Sequence, residues 1–487
     1  MTLLALMVTM TLSAQGIERP RLVVGVMVDQ MRWDYMYYYY DQFGEGGIRR
    51  LLSEGHSCEN TMINYVPTVT AIGHSSVYTG STPAFTGIAG NDFYVNGKTT
   101  TSVLDTTMTT VGAPGKTGMK SPHLLLASTI GDQLKTATDY KAKVVGVALK
   151  DRASILPAGH CADAAYWWDT MSGHYVTSSY YMDKLPAWME EFNKKHTDKD
   201  LKLMESPKGV TKTIDLAIEV LKQEQMGKDD VTDLLAVSVS STDLIGHAYG
   251  TRGAENKAVY LQLDKELARL FSALDETVGR GNYLLFLTAD HGGMHSPKHL
   301  REHKLPSGGW DNQAMKKKLN EMLSQRYGGK EWVRNIMDNR LYLEREAIRA
   351  KGVSLSEVRA AVVEMLLTDS DVIFACDYDK VGSSGIPPIV KERICNGYNS
   401  HRSGDVYVAV RSGLLSWSFN DDYIGTSHGA WNPYDSHIPL VFMGWHVKKG
   451  QTVRETHITD IAPTVCAMLH IERPDCCIGD AISEVME

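Results

Sequence analysis

The sequence predicts an α/β fold with a central, mostly parallel sheet, and three observations carry the prediction. Five short, β-rich apolar runs recur along the chain, helix-period segments separate them, and Asp and His residues gather just past several of their carboxyl ends. Near-continuous apolar runs suit strands buried on both faces between helical layers. Alternation of strand and helix suits the crossover connections of a parallel sheet.

Taken in order, the first run is Arg21–Asp29 (RLVVGVMVD), followed by a helix-period segment over Gly46–Gly55. Pro67–Ser76 (PTVTAIGHSS) then leads into a helical pattern with Thr70 at its start. A helical segment over Leu124–Ala137 precedes the second run, Ala142–Lys150 (AKVVGVALK). Residues 162–207 are irregular and rich in Tyr and Trp, including Trp167 and Trp168, and read as an insertion near the site. Its aromatics either pack or line a substrate mouth. The helical segment Lys212–Met226, the third run Asp233–Ser240 (DLLAVSVS), the helical segment Ala254–Val278 and the fourth run Asn282–Asp290 (NYLLFLTAD) restore the alternation. Residues 296–405 are more polar and broken by Gly and Pro, with helical patterns at Asp311–Tyr327 and Ser354–Leu367, as expected of an inserted cap lobe. The fifth run is His437–Gly444 (HIPLVFMG).

A chain of 487 residues with 43% hydrophobic and 22% charged residues is an ordinary globular protein, not a disordered one. At roughly 150 residues per domain it holds about three units, or one large α/β domain with insertions. We read the second: one catalytic domain over residues 15–487. Fifty Lys and Arg against 58 Asp and Glu give a net charge of −8, without the basic field of a dedicated nucleic-acid binder. An anionic substrate therefore requires a local arrangement, such as a metal.

The segment Met1–Ala14 (MTLLALMVTMTLSA) is apolar and uncharged, too short to span a bilayer but of signal-peptide length. It lacks a basic start, and a buried N-terminal strand or helix is the alternative. We expect an exported protein, periplasmic or secreted, that begins near Gln15 and has no stable membrane insertion. Seven cysteines form no CxxC pair, which leaves a zinc ribbon unsupported and one or two bridges open.

In open α/β sheets ligands bind beyond the carboxyl ends of the strands. Those ends offer Asp29; Lys150 with Arg152; Asp243 and His247; Asp290 and His291; His428 lies shortly before the fifth run. Each alone has a plain structural explanation, since Asp often caps turns and His often satisfies itself in a core. Asp243 and His247, four residues apart, would aim at one point from a single helical turn. Together, three Asp and three His are the N/O ligand types that borderline divalent metals prefer. Thr70 at a helix N-terminus would meet an anion among free N–H groups; an N-cap role is the alternative.

These segments resemble the alkaline phosphatase superfamily, and within it the PafA-type phosphate-irrepressible alkaline phosphatases. The resemblance covers nearly the whole mature chain. Val66–Tyr94 (VPTVTAIGHSSVYTGSTPAFTGIAGNDFY) is similar to the family's nucleophile helix and asparagine loop, and Leu149–His160 (LKDRASILPAGH) to its Lys-x-Arg segment. STDLIGH, TADHGG and TSHGAW are similar to its metal-ligand segments. The resemblance implies an alkaline-phosphatase-like three-layer sandwich and two zinc ions. Asp243, His247 and His428 would hold one, and Asp29, Asp290 and His291 the other. It implies Thr70 as the nucleophile touching the second zinc, with Asn91, Lys150 and Arg152 on the phosphoryl oxygens. In an extended segment Lys150 and Arg152 would project to one side.

The activity implied is hydrolysis of small-molecule phosphate monoesters through a covalent phosphothreonine, by in-line displacement between two metals. A monoester brings two negative charges and a diester one, so the two cations suit the monoester. The nearest alternative is a phosphodiesterase or nucleotide pyrophosphatase on the same fold, whose nucleophile region is also similar around Thr70. A non-catalytic phosphate- or glycan-binding protein is the alternative of another class. A sulfatase is excluded, because Thr70–His74 lacks the Cys/Ser-x-Pro-x-Arg signature. A monomer is expected. With two dications bound, the pocket would be locally positive against the acidic exterior.

Overall fold

Three neighbouring strands that end at one level bring the polar residues of distant segments together. In the computed structural model, which describes residues 17–487 except 418 and 420–422, the main sheet contains β1 (Leu22–Val28), β2 (His56–Met62), β3 (Val144–Ala148), β4 (Ala164–Asp169), β5 (His174–Ser178), β6 (Asp233–Val239), β7 (Tyr283–Thr288), β8 (Leu440–Gly444) and β9 (Gly450–His457). The leader expected at residues 1–14 lies outside the described residues.

The order across the sheet is β2-β8-β7-β1-β6-β3-β4-β5, with β9 on β2. The central contacts β7–β1, β1–β6, β6–β3 and β3–β4 are parallel. The margins are antiparallel, at β8 against β7 and β2 and at β5 against β4. The expected α/β class is therefore observed, with one correction. The fifth apolar run is split into His437–Ile438 and β8, and it runs against its neighbours. Its amino end, not its carboxyl end, faces the site, which is why His428 precedes the strand that it accompanies.

Every residue of β1, β6 and β7 is buried. Met27 pairs with Ser238 on one side and Thr288 on the other, so the three strands finish level. One group of helices covers the sheet with Thr70–Thr79, Ile130–Ala137, Asp151–Ala158 and Ile461–Leu469; Ile48–Glu54, Pro207–Gln223 and Ala254–Thr277 form another. Gly25 lets the first group approach closely, since a Cβ there would lie 2.1 Å from the Tyr78 hydroxyl.

Two further expectations change. The helix expected over Leu124–Ala137 starts only at Ile130, because Thr129 and Asp132 form a reciprocal capping box that fixes the first turn there. Residues 162–207, expected as an insertion, supply β4 and β5 of the main sheet. Tyr166, Trp167, Trp168 and Tyr175 are buried in its core, so they pack and do not line a substrate mouth.

Within residues 296–405 and just beyond, the strands Val333–Met337, Arg340–Leu343, Val372–Asp377 and Val406–Val410 form a separate antiparallel sheet. The helices Asn312–Tyr327 and Leu355–Leu366 add Leu319, Leu323, Val358 and Val362 to its own hydrophobic cluster. This lobe meets the sheet domain at Val66, four residues before Thr70, where the Val66 N–H donates to the Arg393 carbonyl (3.1 Å).

Candidate active site

Asp29 directly follows β1, Asp290 lies two residues past β7, and Asp243 sits in the first turn of helix Ser241–Tyr249 after β6. All three carboxylates are buried. Crowding three acids in a dry site is costly unless positive charge answers them. Burial, reinforced by Asp243 and Asp290, pushes Asp29 up to about 6. Asp243 is held well below the usual carboxylate range, because Lys150 and His247 outweigh the opposing effect of burial.

The three histidines are set in one tautomer by the same device. His247 Nδ1 donates to the Thr426 carbonyl (2.9 Å), His291 Nδ1 to that of Gly292 (2.9 Å) and His428 Nδ1 to that of Thr68 (2.7 Å). A carbonyl only accepts, so Nδ1 carries a proton and Nε2 is the end turned to another partner. His247 Nε2 lies 3.1 Å and His428 Nε2 3.5 Å from Asp243 Oδ1, and His291 Nε2 lies 3.5 Å from Asp29 Oδ1. Burial and the neighbouring His428 keep the His291 imidazole well below its ordinary pKa and hence neutral. His428 is pushed up to about 9, since its hydrogen bond to Asp243 overcomes burial.

Among the described residues, two groups of ligand atoms converge within 4.8 Å: Asp29, Asp290 and His291, and Asp243, His291 and His428. Asp29 Oδ1, Asp290 Oδ2 and His291 Nε2 are buried without a hydrogen-bond partner. Orphaned buried acceptors beside carbonyl-anchored imidazoles fit a divalent cation. The grouping differs in one respect from the sequence expectation. His291 stands between both sets, stacked on His428 at 3.5 Å between ring centroids, while His247 lies beside Asp243 and has its ring centroid 5.2 Å from that of His428.

Thr70 is buried and is the first residue of helix Thr70–Thr79. The N-cap is Val69, whose own side chain makes no capping bond. An N-cap role for Thr70 is thus set aside, and Thr70 stands in the first turn, at the positive end of the helix. Asn91 joins it: its Oδ1 accepts from the Ala71 N–H at 2.9 Å, which turns its amide nitrogen, the donating end, away from the helix. Gly73 sets the approach of the helix, because a Cβ there would lie 2.4 Å from the Asp290 carbonyl oxygen.

Lys150 and Arg152 are arranged differently from expectation. Lys150 is the extended N-cap of helix Asp151–Ala158, but Arg152 is already helical, so the pair does not project from one extended segment. Asp151 favours this start by placing a carboxylate in the first turn. The Lys150 ammonium lies 2.6 Å from both Asp29 Oδ2 and Asp243 Oδ2, joining the two carboxylate sets. Arg152 is half-buried beside Asp151, 3.8 Å away, and its Nε has no partner.

Several contributors escaped the sequence reading. Gln30 touches Asp243 and Asp290. His74, one turn past Thr70, bonds the Thr70 carbonyl (2.9 Å) and Ser238 Oγ (2.7 Å) and lies 3.3 Å from Asp290 Oδ2. Arg340 reaches from the lobe to the Ala89 carbonyl in the loop that carries Asn91. Asp435 is a buried carboxyl pushed up to about 7 by burial. Only the His74 spacing, four residues past Thr70, was a visible signal. A cavity of about 220 Å³ adjoins His428, its wall including Met294, Trp417 and Trp431.

The arrangement combines a helix-terminal hydroxyl, an amide donor, two cationic side chains and a cluster of Asp and His that could hold a cation, which together suit transfer of a phosphoryl group. A sequence model of the family described as type I phosphodiesterase / nucleotide pyrophosphatase matches residues 23–431. A protein of Myroides odoratus named "Calcium-transporting ATPase" is 44% identical, covering 98% of this chain and 96% of the relative. Alkaline phosphatase PafA of Elizabethkingia meningoseptica is 41% identical over 97% of this chain and 95% of its own. A crystal structure of wild-type alkaline phosphatase PafA superimposes with a TM-score of 0.93 at 41% identity, covering 97% of this chain and 100% of that one.

Proposed function

The chain belongs to the type I phosphodiesterase / nucleotide pyrophosphatase family of the alkaline phosphatase superfamily, in its PafA-like branch, and on that premise we propose that it is an alkaline phosphatase that hydrolyses small phosphate monoesters through Thr70. The observation that carries this reading is the meeting of Thr70, at a helix N-terminus, with three carboxylates and three imidazoles locked in the tautomer of a metal ligand. The family is metal-dependent, and we assign two zinc ions. Asp29, Asp290 and His291 would hold one and Asp243, His247 and His428 the other, neutralising the phosphoryl group and activating the threonine hydroxyl.

The remaining work falls to the chain's own residues. The positive end of the helix and the Asn91 amide nitrogen orient the phosphoryl oxygens. Lys150 and Arg152 add the charge that a dianionic monoester requires. Thr70 Oγ forms a bond to phosphorus on one side as the ester oxygen leaves on the other with its electron pair and takes up a proton. Water then attacks the phosphothreonine, inorganic phosphate departs, and the Thr70 hydroxyl recovers its proton.

The diesterase alternative is the less favoured reading, since it makes no use of the Lys150 and Arg152 pair. The name of the Myroides relative describes ion transport; among the described residues no helix is long and apolar enough to cross a membrane. We further assign the protein to the periplasm or the exterior, as a monomer.

Thr70→Ala tests the reading. It is expected to remove phosphoenzyme labelling and monoester turnover while zinc content, measured on the same sample, stays at two per chain. Retained turnover would place the nucleophile elsewhere.

A further inference from the structure

Gln30 is an uncharged residue wedged between proposed cation ligands, with a backbone that its side chain disfavours. Its φ is +59°, the left-handed region, where a residue with a Cβ is uncommon unless its surroundings over-determine it. Those surroundings are specific. The Gln30 N–H donates to Asp290 Oδ1 at 3.1 Å, and its side-chain Nε2 donates to Asp243 Oδ1 at 2.7 Å. A carboxylate only accepts, so the amide nitrogen must be the end facing Asp243. Gly246 leaves room for this side chain, because a Cβ there would lie 1.9 Å from Gln30 Oε1. The residue is 4% exposed, so water does not share the task from outside.

We propose that Gln30 is a positioning residue that fixes Asp243 and Asp290, one carboxylate from each cation set, relative to one another, and that the left-handed turn at this residue is retained for that purpose. A neutral donor suits the role. It orients a carboxylate oxygen without adding a second positive charge beside Lys150, which already lies 2.6 Å from Asp29 and Asp243. The left-handed φ points the N–H at Asp290 while the side chain runs back to Asp243, so one residue addresses both sets. The proposal rests on the reading that these carboxylates hold the cations.

Two variants of the full chain separate positioning from packing. Gln30→Gly relieves the backbone and removes the amide, whereas Gln30→Met keeps the bulk and the unfavourable φ but also removes the amide. Zinc affinity is measured by competition with a chelator, and thermal midpoints are measured on the metal-free proteins. Both variants are expected to bind zinc on the order of 10–100-fold more weakly, the usual effect of losing a partner of a metal ligand. The Gln30→Gly midpoint should equal or exceed that of wild type, and the Gln30→Met midpoint should not. Unchanged zinc affinity in either variant overturns the proposal, as does an affinity that merely follows the midpoint. If the wild-type chain binds no zinc at all, the two-metal reading falls first.

Discussion

At the scale of single residues, charge decides what the site can accept. Lys150 and Arg152 reach it from the start of one helix, the first buried between Asp29 and Asp243, the second half-exposed. Hydrogen bonds to charged groups contribute about 1.5–3 kcal/mol each. Replacing both cations with alanine is therefore expected to lower kcat/KM for an aryl monoester by about 100-fold or more. An aryl diester, with one negative charge fewer, should lose much less. Equal losses, on samples matched for zinc content, would show that the cations do not discriminate. Legibility at this scale was uneven. Asp29, Asp290 and His291 announced themselves because an apolar run ended on them, and Asp243 and His247 because four residues make one turn. Gln30 gave no such signal: a glutamine after a strand looks like any turn residue, and its role exists only once Asp243 and Asp290 arrive from elsewhere in the chain.

At the scale of elements, the inserted lobe does more than cover the sheet. Arg340 on the lobe strand Arg340–Leu343 is fully buried and donates to the Ala89 carbonyl and to Asp338 (3.1 Å). Gly90 makes room for it, since a Cβ there would lie 2.7 Å from the guanidinium. The loop that presents Asn91 is thus pinned from a second layer. Arg340→Met is expected to destabilise the protein by on the order of 1–3 kcal/mol through the lost bonds. It should also raise KM for monoesters with zinc content unchanged, as loop 89–91 loosens. A stability loss with unaltered KM would reduce Arg340 to a packing role. The apolar runs of the sheet were readable because two-sided burial leaves no polar face to confuse them. The direction of the fifth was not, because apolar content carries no information on strand polarity. Strands Ala164–Asp169 and His174–Ser178 are hard to see in the sequence because the aromatic block around them has no clean alternation, although aromatic residues favour strands.

At the scale of the whole molecule, pH and metal act on one balance. His428 at about 9 and Asp435 at about 7 are both shifted upward. Such groups stabilise the fold fully below their unfolded values, and that contribution is lost as pH rises through the folded ones. The thermal midpoint of chelator-treated protein should therefore fall between roughly pH 4 and 7 through Asp435 and between roughly pH 6.5 and 9 through His428. Zinc should raise the midpoint by mass action and flatten this decline, because it binds the neutral imidazole. A midpoint that ignores both pH and zinc would contradict the assignment of the cluster. The level ends of β1, β6 and β7 carry one more consequence. Their backbone ladder works as a ruler: it fixes the level at which the chain leaves each strand, and Asp29, Asp290 and the helix turn that carries Asp243 all start from that level. Chemistry is thereby seated at the ends of fully buried central strands, while the lobe reaches it only through contacts such as Arg340 on the Asn91 loop. Exchanging residues 311–410 between relatives with Arg340 kept would be expected to alter which ester is preferred, read as kcat/KM across a panel of monoesters, and to leave zinc content unchanged.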